Sequence, residues 1–369
     1  MKSGGKKVFV GVSGGVDSSV ALALLKKEGY DVTGVFLKVW NPDWMECNWK
    51  EERRDSMRVC ATLGVAHLTL DCQAEYKKEV VDYMIREYSL GRVPNPDVFC
   101  NKYIKFGVFQ DKALEMGADF IATGHYARRY EYTNDTNGYE LREAVDKNKD
   151  QSYFLYTLNQ EQLAHTLFPI GHLTKPEVRK LAEKFGLPTA TKKDSQGLCF
   201  IGKVDMKDFL SHYIDKKPGD VITTSDVVIG KHDGAMFYTI GQRHGYTITK
   251  KTTTEPRLFV VSKDLAKNTI TVSPRFNLGE MKESESGYFV KEIIMSDLHF
   301  ISDVKHRVFN NLKIRIRYRQ EKQKCIVEKK SDGYHIIFEN PQSGVAIGQS
   351  AVLYFDNVCL GGGIIEVVV

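Results

Sequence analysis

Two groups of residues in this 369-residue chain are spaced for chemistry: a glycine pair set among serines near the N-terminus, and two cysteines in polar, turn-rich segments. The first group is Ser13-Gly14-Gly15-Val16-Asp17-Ser18, which follows the apolar run Val8-Phe9-Val10 and leads into a helical pattern. Adjacent glycines let the backbone turn sharply and aim several N–H groups at one anion, and the new helix adds the positive end of its dipole. The pattern reads as a phosphate cradle. A Walker A loop would place Lys after the glycines to hold the β- and γ-phosphates, and here Val16-Asp17-Ser18 stands in that place. A cradle without lysine suits pyrophosphate held as a leaving unit, and hence transfer of AMP. An ordinary glycine-rich strand-to-helix turn is the plain alternative.

The first cysteine segment, Val93-Pro94-Asn95-Pro96-Asp97-Val98-Phe99-Cys100-Asn101, sets a carboxylate three residues before a thiol, with two prolines stiffening the approach and a helix expected from Asn101. A thiol near a helix N-terminus has its thiolate favoured by the dipole. The second segment, Lys192-Lys193-Asp194-Ser195-Gln196-Gly197-Leu198-Cys199, puts Cys199 in a glycine-containing loop with two lysines nearby. Cys60, Cys72, Cys325 and Cys359 lie in apolar or regular stretches and read as small buried hydrophobes, while Cys47 follows Trp44 in a polar stretch and fits neither role. Seven scattered cysteines without a C-x-x-C pair argue against a disulfide scaffold, a zinc ribbon or a locally ligated Fe–S cluster.

These residues need elements to position them, and the first half alternates strand and helix. Strand-like runs occupy Lys7 to Val12, Val32 to Val39, Ala66 to Leu70 and Phe120 to Thr123; helical patterns fill Ser18 to Glu28, Lys50 to Leu63, Tyr76 to Tyr88 and Asn101 to Met116. The expected fold class is α/β, a doubly wound parallel sheet with its ligands beyond the carboxyl ends of the strands. Asn137-Gly138 predicts a hairpin, and Thr174-Lys175-Pro176-Glu177 a capped helix ending near Gly186. From about Val221 the period changes to two, through Phe237 to Ile240, Leu258 to Val261, Thr269 to Val272, Tyr288 to Ile294, Leu312 to Tyr318, His335 to Phe338, Ala351 to Phe355 and Ile364 to Val369. A small β-rich connecting domain and a compact C-terminal β-barrel are expected there, giving units over 1–204, 205–280 and 281–369.

In one of these strands Lys313, Arg315, Arg317 and Arg319 alternate with Leu312, Ile314, Ile316 and Tyr318. Period two predicts a row of cations on one face, suited to a nucleic-acid backbone or to solvent. The net charge of +5 permits a polyanionic partner without demanding one. No apolar run approaches the ~20 residues that span a bilayer, and Met1 to Val10 lacks a signal-peptide core, so a cytoplasmic protein without a membrane partner is expected.

Taken together, Gly11 to Ser19, Asn95-Pro96-Asp97 with Cys100, Thr123-Gly124-His125-Tyr126, Lys149-Asp150-Gln151-Ser152, Ser195 to Gly202, Tyr238-Thr239-Ile240-Gly241-Gln242-Arg243 and Gly361-Gly362-Gly363 resemble the bacterial tRNA-specific 2-thiouridylase family, of the PP-loop ATP pyrophosphatase superfamily. The resemblance spans nearly the whole chain in order. It implies an adenine nucleotide alpha hydrolase-like fold and an enzyme that adenylates the C2 oxygen of the wobble uridine of tRNA, then replaces that oxygen with sulfur from a cysteine persulfide. By motif, Gly11, Val12, Ser13, Gly14, Gly15, Val16, Asp17, Ser18, Leu37 and Gly124 would hold ATP, with Mg²⁺ on its phosphates. Asn95, Pro96, Asp97, His125, Lys149, Asp150, Gln151, Arg317, Tyr318 and Gln349 would touch tRNA. Asp97 would act as acid/base, Cys199 would carry the persulfide and Cys100 would attack it, leaving a Cys100–Cys199 disulfide. A cysteine desulfurase or sulfur-relay carrier is the implied sulfur donor.

Two readings of other classes remain at the level of sequence. A PP-loop ligase acting on a small molecule would use the first half and leave both cysteines idle. A non-catalytic RNA-binding protein would use the basic strand and leave the glycine loop idle.

Overall fold

Alternation along the first strand decides how the N-terminal half is layered. In β1 (Lys7–Gly11) Val8 and Val10 point to one face, where they pack with Val16, Val20 and Leu22 of α1 (Val16–Lys27). Phe9 points to the other and joins Val35, Leu37, Tyr76, Ile104 and Phe109. The two apolar layers sandwich one parallel sheet. This is a computed structural model, and it describes residues 5–45, 49–132, 138–193, 205–249, 257–274, 289–302 and 311–369.

After β1 come β2 (Asp31–Lys38), α2 (Trp49–Leu63), β3 (Ala66–Asp71), β4 (Phe120–Ala122), the antiparallel pair β5 (Ala127–Tyr132) and β6 (Gly138–Glu143), and β7 (Thr166–Leu167). The sheet order is β3-β2-β1-β4-β7, all neighbours parallel, as expected of a doubly wound fold. The strand order reverses between β1 and β4, which opens a crevice beyond their carboxyl ends. The Ser13–Ser18 loop leaves β1, and Thr123-Gly124-His125 leaves β4, at that crevice.

The helix that carries Cys100 starts earlier than expected. It begins at Pro96, because the Asn95 side chain accepts a hydrogen bond from Val98 N (3.4 Å) and proline presets the first turn. It then widens to π-type turns over Cys100–Val108, kinks at Gly107 and resumes as Phe109–Glu115. Cys100 therefore lies in the second turn, and the favourable end of the dipole belongs to Asp97.

The middle sheet has the order Thr247–Ile248, Val228–His232, Gly219–Ile222, Thr269–Ser273, Phe259–Asp264. The strand expected over 237–240 is absent. Ala235–Phe237 is a short 3₁₀ turn and Gln242 N bonds Thr239 O (3.0 Å), so this stretch coils into a loop instead of joining a ladder.

The last sheet runs Phe289–Met295, Gly333–Ser343, Gln323–Lys330, Lys313–Arg315, Ser350–Phe355, Val358–Ile364, and the terminal Val367–Val368 pairs back onto Phe289–Met295. The ring thereby closes as a barrel. Its outer seam holds a guest, since β6 pairs with Val358–Ile364 through Leu141 opposite Cys359 and Arg142 opposite Val358. The β5–β6 hairpin thus belongs by sequence to the first unit and by hydrogen bonding to the barrel; Asn137, its expected turn residue, lies outside the described residues.

The expected row of four cations is corrected. Only Lys313–Arg315 is strand, and at Arg319 the backbone turns left-handed (φ +64°). Arg315 points inward, 2.8 Å from Asp150 and 3.1 Å from Glu143, and its side chain is 11% exposed. Two carboxylates buried on the first unit require a cation there, and that demand outranks period-two alternation. Lys322 and Lys147 complete the cluster on Glu143 at 3.0 and 2.9 Å.

Removing the guanidinium should therefore be costly: Arg315→Ala is expected to lose about 3 kcal/mol, read from the urea midpoint, with Arg315→Lys recovering part of it. Burial raises the Glu143 carboxyl, but hydrogen bonds from Lys147 and Lys322 outweigh it and hold the group below its ordinary 4.5. A depressed carboxylate stabilises fully above that value and loses its contribution as pH falls through the native one. The midpoint gap between wild type and Glu143→Gln should accordingly narrow on acidification below the ordinary 4.5; a constant gap would refute the ionic account.

Candidate active site

The phosphate cradle is built from main chain. Gly14 adopts φ +72°, and a Cβ there would lie 2.6 Å from the carbonyl oxygen of Glu52. Gly15 is extended and caps α1, and its nearest neighbour to a Cβ would be Ser13 Oγ at 3.4 Å. The Ser18 and Ser19 hydroxyls donate to Gly15 O at 3.2 and 2.7 Å, and Ser18 Oγ also accepts from Ser13 N (3.3 Å). Gly124 closes the other wall, for a Cβ would sit 2.6 Å from Ser18 N. Val12, Val16 and Leu37 are buried side chains, so they and Gly11 can meet a nucleotide only through backbone.

A lysine reaches this loop from elsewhere in the chain. Lys175, in the first turn of the helix Lys175–Lys184, places Nζ 2.7 and 2.8 Å from the two carboxylate oxygens of Asp17, and the Tyr126 hydroxyl donates to the same carboxylate at 2.8 Å. Sequence reading saw only the Thr174–Glu177 capping box here. A lysine at the helix start, against the dipole, was the available signal.

Behind Tyr126 the chain is locked. Gln151 accepts from Tyr126 N (2.9 Å) and donates its own N–H to Tyr126 O (2.8 Å). Asp150, expected at the RNA, is 2% exposed, paired with Arg315, and accepts from Ala144 N and the Ser152 hydroxyl. Lys149 is half-buried on the adjoining turn, with its N–H on Asp146 O.

A second cluster gathers around the Cys100 helix. His125 is buried, with Nδ1 2.8 Å from Thr123 Oγ1 and Nε2 3.4 Å from Lys105 Nζ; burial, aided by Lys105, pushes its pKa well down and keeps it neutral. His125 thus ties the Cys100 helix to the wall of the phosphate cradle. Asn95 is buried beside the Tyr153 hydroxyl, which donates to Ser350 O (2.8 Å). Pro96 and Asp97 are half-buried on the first turn, and Cys100 is fully buried. From the barrel, Gln349 Nε2 donates to Val93 O (3.0 Å), and Tyr318 packs on Phe154, ring centroids 4.5 Å apart. Arg317 donates to the carbonyls of Ile240 and Gly344. Cys199, with Ser195 to Gly202, lies outside the described residues.

A glycine cradle at the switch point of a parallel sheet, with a thiol-bearing helix joined to its wall and two β-rich units docked beside it, defines a PP-loop nucleotide-binding protein with added β domains. Three family descriptions match in succession: a tRNA methyl transferase HUP domain over 6–203, a tRNA methyl transferase PRC-barrel domain over 207–274 and an aminomethyltransferase beta-barrel domain over 290–365. The tRNA-specific 2-thiouridylase MnmA of Pseudomonas paraeruginosa is 45% identical over 98% of this chain and 94% of its own, and that of Stutzerimonas stutzeri is 46% identical over the same shares. The chain belongs to the tRNA-specific 2-thiouridylase family. Among solved structures, the U34-tRNA thiolase NcsA of Methanococcus maripaludis is a remote likeness, 16% identical with a TM-score of 0.35, covering 56% of this chain and 63% of that one.

The two glycines, alike in sequence, should behave differently. Gly14→Ala is expected to weaken ATP affinity tenfold or more, by about 1–3 kcal/mol of left-handed strain and by contact with Glu52. Gly15→Ala should come within a few-fold of wild type; equal losses in calorimetric titration would refute this geometry.

Proposed function

We propose that this protein is a tRNA 2-thiouridylase: it adenylates the C2 oxygen of the wobble uridine and exchanges it for sulfur. The observation that carries the reading is family membership across the full length, including the β-rich units that a small-molecule ligase would not need.

In this reading the uridine O2 attacks the α-phosphorus of ATP, and pyrophosphate leaves into the Ser13–Ser18 cradle, whose N–H groups and α1 dipole take up the developing charge. Lys175 and Asp17 stand at the same edge as a charge pair that orients the phosphates. Asp17, fixed by Lys175 and Tyr126, can lend an oxygen to Mg²⁺ carried on ATP, a fit to a hard cation that prefers phosphate and carboxylate oxygens. AMP turns a poor leaving oxygen into a good one. Asn95 to Asp97 would seat the flipped-out base, with Asp97 as acid/base.

Sulfur then arrives on Cys199 as a persulfide from a cysteine desulfurase or a relay carrier. The Cys100 thiolate attacks the Cys199 sulfur, a Cys199–Cys100 bond forms, and the terminal sulfur departs as hydrosulfide with the electron pair of the broken S–S bond. Hydrosulfide adds to C2 and AMP leaves. An external dithiol reduces the disulfide for the next cycle. Cys100 is fully buried, so the covering segments must open when RNA enters. No described helix is long and apolar enough to cross a membrane, and the proposed setting is the cytoplasm.

Pyrophosphate release from ATP should require tRNA; release without RNA would point to a small-molecule ligase. Cys100→Ser should still load a persulfide on Cys199 and adenylate tRNA yet form no thiouridine, whereas Cys199→Ser should carry no transferable sulfur. After one wild-type turnover without reductant, non-reducing peptide mapping should recover the Cys100–Cys199 pair. Its absence after verified product formation would remove the two-cysteine mechanism.

A further inference from the structure

Lys192 joins two walls of the phosphate cradle, and no step above uses it. Its backbone is held from one side, where Arg179 of the helix Lys175–Lys184 donates to Ala190 O (3.0 Å) and Lys192 O (3.1 Å). The same helix carries Lys175, whose ammonium is already engaged by Asp17. The Lys192 side chain crosses to the other side, and its Nζ lies 2.7 Å from Asp55 Oδ2 on α2. There α2 lines the cradle directly, since a Cβ on Gly14 would come 2.6 Å from Glu52 O and 3.1 Å from Asp55 Cβ. One carboxylate therefore separates the Lys192 ammonium from the glycine turn.

That carboxylate does not depend on Lys192. Arg58 also reaches it, with Nη1 3.2 Å from Asp55 Oδ1, so withdrawal of the lysine leaves Asp55 paired. The lysine keeps partial access to water, with its side chain 36% exposed, and its head carries three donors on a flexible stem that can turn from one oxygen to another. The wall it faces is acidic. Asp17, Glu52 and Asp55 stand around the glycines against Lys175 and Lys192; burial raises the Glu52 carboxyl, and Lys192 opposes that rise. A pyrophosphate group brings several more negative charges to this wall. Mg²⁺ offsets a part of them, and a cation within reach gains by moving from an already paired carboxylate onto the more highly charged phosphoryl oxygens.

We propose that Lys192 is a phosphate-binding residue of the nucleotide site: Asp55 holds it while no nucleotide is bound, and it passes to the β- and γ-phosphoryl oxygens when ATP binds. The proposal rests on the adenylating reading above, in which the cradle holds pyrophosphate. It separates the tasks of two lysines, with Lys175 fixing the cradle carboxylate and Lys192 holding the anion.

The test titrates the full chain by calorimetry, without RNA and with Mg²⁺, against inorganic pyrophosphate, ATP and AMP. Lys192→Gln should weaken pyrophosphate and ATP about tenfold and AMP by no more than about twofold. Asp55→Asn, which removes the competing carboxylate, should tighten pyrophosphate about threefold, and that gain should vanish in the Lys192→Gln, Asp55→Asn double variant. A lysine that merely pins α2 predicts the opposite sign for Asp55→Asn, because breaking the pin from either end loosens the cradle. Melting temperatures identify a folding defect, and Lys192→Arg, which keeps the charge, should stay within about threefold of wild type. A gain from Asp55→Asn that persists without Lys192 is a through-space charge effect and refutes the exchange, as do a loss from Asp55→Asn, equal losses for AMP and ATP, or unchanged affinities in Lys192→Gln. Wild-type protein that binds neither ATP nor pyrophosphate overturns the cradle reading and the role of Lys192 together, whereas a refuting outcome on wild type that does bind removes the role alone.

Discussion

A guanidinium held between two buried carboxylates fixes the rest of the arrangement. Arg315 comes from the barrel, Glu143 from the hairpin that the first unit lends to it, and Asp150 from the turn that follows. Buried charges are tolerable only when paired and hydrogen-bonded, so these three segments have one acceptable relative position. From that point the contacts run inward: Asp150 bonds the Ser152 hydroxyl, Gln151 grips Tyr126, and Tyr126 reaches Asp17 in the phosphate cradle. The placement of the cradle carboxylate is thus tied through hydrogen bonds to a strand 298 residues away in sequence, Asp17 to Arg315.

The same logic operates on the thiol side. The barrel loop that contains Ala346 and Gln349 bonds Val93 through Ile347 O (2.8 Å) and Gln349 Nε2, and Ser350 O receives Tyr153. The Asn95–Asp97 segment is therefore held from both ends, by the helix it caps and by the barrel it leans on. A reaction that must align a uridine, an α-phosphorus and a sulfur gains from such over-determination, because small misplacements are costly in rate.

The parallel sheet was legible because β1, β2 and β4 are apolar runs at regular spacing, and the glycine cradle because its residue types have few other uses. The cation paired with Asp17 was not legible, since Lys175 becomes relevant only when its helix is folded onto α1. The basic row misled for a related reason: alternation predicts which side chains share a face, not whether buried carboxylates wait opposite one of them. The start of the Cys100 helix was readable from Asn95-Pro96 as cap and first residue, a stronger signal than the apolar period. Val358–Ile364 hid behind its three glycines, which serve close approach; a Cβ on Gly362 would come within 3.0 Å of the Tyr156 ring.

The shared hairpin also bears on biosynthesis. β5 and β6 leave the ribosome more than two hundred residues before Val358–Ile364, the strand that covers their seam. For that interval β6 is an uncovered edge beside an already foldable parallel sheet, and open edges invite pairing with the wrong chain. Leu141 and Glu143, both buried in the folded chain, gain that cover only once Val358–Ile364 has arrived. Translation of the final quarter is thus the step at which this hairpin of the first half is protected, and a truncated chain carries an adhesive edge in addition to lacking its barrel.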